Sequence, residues 1–264
     1  SQKSREENYV VVEVIRWVIS EVEELKKNEK LSDVLRKVDY NSVQNIANLS
    51  TVYNHEIEHV KNNWARKSHV PEFTGKRAPI QMLKFITSQC YNRSVNDPDK
   101  LNQYPPFSAQ VYGETSFELV LEIIREVNIR PTDTFIDLGS GVGQVVIQIA
   151  GLAEAKFCFG IEKAEYPSAC ATRLDLEFRN WMEFFGKVFT PYQISKGDFL
   201  SKEIHETITN ADVIFANNFA FGPEVDHLLK EKFQNLKEGS RIISSKAFCP
   251  LNFRISDRNL GGKF

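Results

Sequence analysis

Four stretches of this chain combine residue types that could do chemistry. "DLGSGVG", Asp137 to Gly143, sets an acid ahead of three alternating glycines, directly after the apolar "TFI". "GIE" ends on Glu162, 25 residues after Asp137, and "KGDF" ends on Asp198 and Phe199. "ANNFAFG" carries Asn217 between an apolar run and the phenylalanines Phe219 and Phe221. A glycine turn lets backbone N–H groups approach a ligand, and a following helix dipole favours negative charge there. The acids then decide which ligand fits. A carboxylate at Asp137 suits an ammonium far better than a pyrophosphate, and the turn departs from the G-x-G-x-x-G of nicotinamide and flavin sites. Glu162 can accept from both ribose hydroxyls, a feature that NAD enzymes share, while Asp198 can accept an adenine amino group and Phe199 can stack on the ring. S-adenosylmethionine has an ammonium, a sulfonium and no phosphate, and it fits the three acids together. Each acid taken singly could equally cap a helix or solvate a loop.

Asn217 leaves the carboxyl end of an apolar run and is followed by aromatic residues. Amine methyltransferases orient a nitrogen nucleophile with that geometry, the asparagine carbonyl oxygen accepting and Phe219 or Phe221 walling the site. An ordinary turn, with Asn217 or Asn218 in a left-handed backbone and the phenylalanines filling core, explains the same residues.

The elements that must position these groups are legible from periodicity. Residues 9 to 27 place Val11, Val14, Ile15, Val18, Ile19, Val22 and Leu25 on one helical face, and further helices are predicted at about 32–38, 42–67 and 78–92. "NRSVNDPDKLNQYPPFSAQVYG" carries three prolines and reads as a linker. A helix then opens at "TSFELVLEIIREV", with Thr115 as N-cap and Glu118 completing a capping box. After it, short apolar runs alternate with helices: "TFIDLG", "KFCFGIE", "PYQISKGDF", "ADVIFANN" and "RIISSK" alternate with helices from about 143, 167 and 223. That grammar means an α/β fold whose mostly parallel sheet is covered on both faces. The expected organisation is an N-terminal helical lobe over 1–92, a linker and covering loop over 93–113, and the α/β domain over 114–264.

Composition narrows the function. The chain has 264 residues, 42% hydrophobic, with a net charge of -2. Residues 1–106 hold 16 basic and 14 acidic groups, leaving 17 and 21 for the rest, so this is no basic nucleic-acid binder by composition. No apolar run reaches membrane-spanning length and "SQKSREENYVVVEVIRW" is too polar for a signal peptide, which predicts a cytoplasmic or nuclear protein. Cys90, Cys158, Cys170 and Cys249 lie far apart and are expected to be reduced and buried.

Read together, "VYGETSF", "DLGSGVGQVV", "GIEKA", "GDFLS", "NNFAFGPEVDHLLKEKF" and "SSKAFCPLNFRISDRNL" resemble consecutive motifs of the non-SET histone lysine methyltransferases, the family named for disruption of telomeric silencing. The match runs in order over roughly residues 90 to 260; the helical lobe matches only loosely. The resemblance implies a class I S-adenosylmethionine-dependent methyltransferase, Rossmann-like, with an N-terminal helical lobe. It implies a nuclear enzyme that methylates a core lysine of histone type three in nucleosomes and releases S-adenosylhomocysteine, acting as a monomer away from membranes and without a metal. Whether a ubiquitylated histone is a further partner stays open. Carried over by position, Tyr112, Gly113, Glu114 and Thr115 would close over the methionine end of the cofactor. Asp137, Gly139, Gly141 and Gln144 would hold that end, Glu162 the ribose, and Asp198 with Phe199 the adenine, with Phe135, Ser140 and Lys163 also at the cofactor. Asn217 would touch both cofactor and the lysine channel, whose wall would include Phe107, Thr115 and Phe221. The family continues beyond Phe264 into a last pair of strands and a basic tail, so a truncated domain is expected.

Three rivals remain in view. "HEIEH", His55 to His59, fits H-E-x-x-H, the helical zinc motif with Glu56 as base, although no third ligand stands at a recognised spacing. An N-methyltransferase for another protein or a nucleic acid could use the same turn and Asn217. A non-catalytic binding module would retain the fold alone. Trp17, Trp64 and Trp181 read as core or lobe contacts and "EVEELKKNEK" as a solvated helix end. His205 and His227 read as surface groups, and Lys230, Lys232, Lys237 and Arg241 as a candidate nucleosome-facing patch.

Overall fold

A computed structural model describes residues 2–68, 73–102 and 115–248, and divides the chain into two compact units. The first comprises residues 1–76 and 185–187, the second 77–184 and 188–264.

The first unit is helical: α1 (Gln2–Glu21), α2 (Glu23–Lys26), α3 (Glu29–Arg36) and α4 (Val43–Lys67). Val12, Ile15 and Ile19 of α1 are buried at alternating three- and four-residue spacing and pack in one cluster with Val22, Leu25, Leu31, Ile46, Leu49 and Val60. The face is rotated slightly from the expected one, since Val11 is exposed and Val12 fully buried. The expected continuous helix to residue 27 breaks at Val22, whose extended backbone restarts the helix while keeping Val22 and Leu25 inside. Lys187 completes this unit. Its ammonium pairs with Glu21, donates to the Phe73 carbonyl oxygen and lies over the Phe73 ring.

The second unit opens with α5 (Ile80–Ser94), a short 3-10 turn (Pro98–Asn102) and α6 (Phe117–Val127). It continues as β1 (Thr134–Leu138), α7 (Gln144–Leu152), β2 (Phe157–Glu162), α8 (Glu165–Phe184), β3 (Tyr192–Lys196), α9 (His205–Thr209), β4 (Val213–Ala216), a 3-10 turn (Asn218–Ala220), α10 (Pro223–Phe233) and β5 (Arg241–Ser244). The five strands form one parallel sheet in the order β3-β2-β1-β4-β5. The order reverses beside β1, so the ligand crevice belongs at the carboxyl ends of β1 and β4. Phe135, Ile136 and Leu138 of β1 are fully buried, as are Val213, Ile214 and Ala216 of β4. That explains the continuous apolar runs, because both sheet faces are covered, and each such Ile, Leu or Phe contributes roughly 1.5–3 kcal/mol.

Two expectations are corrected. The boundary expected after residue 92 falls instead between Lys76 and Arg77, because α5 belongs to the α/β unit. Met82, Leu83, Ile86 and Cys90 are fully buried, and a Cβ on Gly151 of α7 would stand 2.7 Å from both Leu83 methyls, so α5 packs closely on α7. The N-cap of α6 is Ser116, whose hydroxyl accepts from Leu119 N–H, not Thr115. Glu118 then falls too early to complete a capping box and pairs with Lys84 instead.

Cys90, Cys158 and Cys170 are buried free thiols. Burial, against a lowering by Arg77, pushes the Cys158 thiol up to about 12, so it stays protonated and inert. Trp181 is a core residue, edge-on to Phe85 at 5.8 Å, and Trp64 donates to Glu24 within the helical unit. Cys249 lies outside the described residues. Among the described residues no helix is long and apolar enough to cross a membrane.

Candidate active site

The acids and glycines singled out for the cofactor, where described, lie in the α/β unit, on one edge of adjacent strands. Asp137 is the fourth residue of β1, Glu162 the last of β2, Asp198 follows β3 by two residues and Asn217 follows β4 directly. Parallel strands in the order β3-β2-β1-β4 therefore bring four chain segments to one rim.

The turn after β1 is tied down by backbone bonds. Gly139 and Ser140 N–H both donate to the Ile161 carbonyl oxygen at 2.9 and 3.0 Å, and Gly143 N–H donates to the Ser140 carbonyl oxygen at 2.8 Å. Gly139, Gly141 and Gly143 all have positive φ, at 81°, 55° and 87°. At Gly143 a Cβ would also stand 2.5 Å from Ile194 Cδ1. Gly143→Ala is therefore expected to destabilise the fold by about 3 kcal/mol, from backbone strain and overpacking together. A denaturant titration of the variant checks this, and an unchanged midpoint would show the turn to be pliable.

Glu162 braces the same turn. Its carboxylate accepts Gly141 N–H at 2.9 Å through Oε2 and Ala164 N–H at 2.6 Å through Oε1, and each oxygen keeps a lone pair for a diol. Asp137 is 2% exposed. Burial, with the nearby Glu162 charge adding to it, raises its carboxyl well above the ordinary carboxylate range. A cationic group beside Asp137 would relieve that cost, whereas a phosphate would add to it. This buried acid is the structural test of the ligand, and it favours an ammonium.

Asp198 is held from two sides. Oδ1 accepts Leu200 N–H at 2.9 Å and Oδ2 pairs with Lys163 at 2.7 Å. Burial acts to raise its pKa, but the Lys163 and Leu200 bonds outweigh it and hold the carboxyl below its usual value. Lys163, exposed, thus braces an acid of the rim. Phe199 faces Phe221, ring centroids 5.5 Å apart, and a Cβ on Gly139 would meet the Phe221 ring at 3.4 Å.

Phe221 is buried, while Phe219 is 78% exposed, so only Phe221 turns inward to the rim. Neither Asn217 nor Asn218 adopts a left-handed backbone: Asn217 has φ -74° and Asn218 opens a 3-10 turn. The left-handed backbone of the ordinary-turn explanation is absent, while its other half holds for Phe221, which packs in a buried core cluster with Phe199 against it. Gln144 begins α7 half-buried beside the turn, Ser140 is buried within it, and Phe135 lies fully buried two residues deeper in β1, supporting the rim from beneath. Thr115 is half-buried just before α6. Phe107, Tyr112, Gly113 and Glu114 lie outside the described residues. Lys232 donates to the Ser201 carbonyl oxygen, Lys237 pairs with Asp212 and Arg241 with Asp133, so three of the four expected patch cations brace loops of this unit.

His55 and His59 belong to α4 in the helical unit, with Nε2 atoms 3.3 Å apart, and Glu56 accepts from Asn28. Among the described residues no group of three or more His, Cys, Asp or Glu side chains comes together to hold a metal. Sequence reasoning missed Asp226 and Lys246, which bond to the turn carrying Asn217. Both fall inside quoted motifs, but the contacts that give them a role are tertiary and no local spacing shows them.

A parallel sheet reversing beside a glycine turn, with acids closing β1, β2 and β3, defines a class I S-adenosylmethionine-dependent methyltransferase fold. The profile of the family described as "Histone methylation protein DOT1" matches residues 91–263, and the chain belongs to that family. Similar relatives carry the name "Histone-lysine N-methyltransferase, H3 lysine-79 specific". That of Drosophila melanogaster is 46% identical over 250 residues, 95% of this chain and 14% of the relative. Those of Caenorhabditis elegans and Aspergillus fumigatus are 36% and 32% identical, covering 78% and 79% of this chain and 22% and 41% of the relatives. The chain thus spans between 14% and 41% of these relatives' lengths.

Proposed function

We propose that the α/β unit is the methyl-transferring core of a histone-lysine N-methyltransferase that uses S-adenosylmethionine and acts on a lysine in the globular core of histone type three within the nucleosome, in the nucleus. The names of the relatives support the substrate; the buried Asp137 on a four-strand rim with Asn217 is the observation that carries the chemistry.

Asp137 would take the ammonium of the cofactor, Glu162 the ribose hydroxyls and Asp198 the adenine amino group, with Phe199 against the ring. Bound S-adenosylmethionine supplies an electrophilic methyl and a positive charge that disfavours a protonated amine nearby. A lysine of pKa near 10.4 must lose its proton first, at a cost of about 4–5 kcal/mol at pH 7. Asn217 offers an acceptor to the neutral amine and fixes its lone pair in line, while the Phe221 ring excludes water and makes the charged amine still less favourable. No strong base is required if the proton departs to water before the amine enters. Tyr112 to Thr115 and Phe107 would complete the cofactor cover and the channel. The protein would work as a monomer, and a ubiquitylated histone is a further candidate partner.

Labelled S-adenosylmethionine offered to the full-length protein with free histone octamer and intact nucleosome side by side tests this. Label on the type-three histone is expected only, or far more strongly, in the nucleosome. Cofactor binding with no histone labelled would shift the reading to an N-methyltransferase for another acceptor.

A further inference from the structure

The turn that carries Asn217 and Phe221 is held from below by a buried polar network that no cofactor- or substrate-facing role accounts for. Asn218, fully buried, accepts at Oδ1 from Lys246 N–H at 3.1 Å and from the Ser245 hydroxyl at 3.3 Å, both just beyond β5. Its amide group donates to Asp226 Oδ1 of α10 at 3.4 Å. The Lys246 ammonium donates to the Phe221 carbonyl oxygen at 2.8 Å and pairs with Asp226 Oδ2 at 3.3 Å. Two separate segments, the residues just beyond β5 and the first turn of α10, therefore converge on residues 218 to 221. Asp226 is 3% exposed. A buried carboxylate in that position persists only when its partners are present, because leaving one uncompensated costs several kcal/mol.

We infer that Asp226 and Lys246 are positioning residues: their ion pair and the Lys246–Phe221 bond fix the turn 217–221, and through it set where the Asn217 acceptor and the Phe221 ring stand. This rests on the methyltransferase reading for its kinetic consequence. The physical reason for such a clamp is that the turn is short and irregular, with no α-helix or sheet ladder of its own. It leaves the sheet after Ala216 and spans only a 3-10 turn before Gly222 and Pro223 start α10, so its own backbone bonds are few. An in-line transfer tolerates little displacement, and a shift near 1 Å can cost about 100-fold in rate. Lys246 is partly exposed while its carboxylate partner is buried, so the lysine can be exchanged without opening the core.

The test compares Lys246→Met, Lys246→Arg and Asp226→Asn in the full-length protein with wild type. Hydrogen exchange of the peptide containing residues 217–222 is read first, since it needs no substrate. The methionine and asparagine variants should exchange there at least about tenfold faster, and the arginine variant should recover most of the protection. On nucleosomes, the methionine variant should lose about tenfold or more in kcat, with S-adenosylmethionine Kd held within about threefold and recovery by arginine. Unchanged exchange in the methionine and asparagine variants overturns the inference. So does a parallel loss of kcat, cofactor affinity and thermal stability that arginine does not rescue, the signature of a merely structural role. If wild type labels no histone, the substrate reading fails by itself, and the exchange comparison still decides whether the clamp holds the turn.

Discussion

Replacing Asn217 by alanine is expected to cut methyl transfer about 100-fold while changing the dissociation constant of S-adenosylmethionine by no more than about threefold. Asn217 directly follows β4, its backbone set by the 3-10 turn that starts at Asn218, and it stands across the strand reversal from Asp137. In the proposed chemistry its carbonyl oxygen contacts only the attacking amine in the orientation that reacts, so its loss is a loss in the transition state. The cofactor keeps Asp137, Glu162 and Asp198, which come from three other strands. Single-turnover rates on nucleosomes and calorimetric titration of the cofactor separate the two quantities. A variant that loses both in proportion would make Asn217 a binding residue, and one that loses neither would remove it from the site.

The second large effect has opposite signs for stability and for binding. Asp137→Asn should raise the melting temperature of the ligand-free protein at pH 7 and weaken S-adenosylmethionine binding by about 10–100-fold. Burial, then the Glu162 charge, raises the Asp137 carboxyl in the folded state above the ordinary value of 3.8. The sign follows by linkage. With a folded pKa above the unfolded one, the stability contributed by the neutral form is fully present below 3.8 and is lost as pH rises through the raised folded value. Wild type at neutral pH bears that cost, and the amide, which never ionises, does not. The stability gap between the two should narrow as the pH is lowered and close below 3.8. For the same reason wild-type cofactor affinity should climb with pH through the raised value, while the variant stays flat. An asparagine variant less stable than wild type at pH 7 would mean that the carboxylate is already compensated within the protein.

Much of this site could be read from the chain because its parts are local. A glycine turn, a strand-end acid and an asparagine after an apolar run each occupy a few consecutive residues, and parallel strands carry them to one edge without further information. The alternation of apolar runs and helices gave β1 to β5 and their order of appearance for the same reason. What periodicity could not show was which neighbour each helix chooses. The helix over 80–94 looks like the three before it, and its packing on α7 and α8, Leu83 tight against Gly151 and Phe85 edge-on to Trp181, assigns it to the α/β unit. The Thr115 cap failed on a subtler point, since two adjacent hydroxyl residues offer the same chemistry and the backbone geometry selects Ser116. Of the two phenylalanines flanking Ala220, burial alone separates inward Phe221 from exposed Phe219. Asp226 and Lys246 stand inside quoted motifs, but their roles were invisible for the reason that buried polar networks usually are: their partners lie on a different element.

The helical unit is discontinuous in the chain, and that bears on how such a protein can be altered by descent. Residues 185–187, far downstream of the first 76, belong to it, with Gly75 N–H donating to the Gly186 carbonyl oxygen and Lys187 pairing with Glu21. A genetic exchange with a single crossover at the first join would bring in a foreign set of helices without the matching tripeptide, or leave the tripeptide facing strangers. The lobe is thus built from a matched pair of segments, and an exchange at one join alone would forfeit the bonds between them.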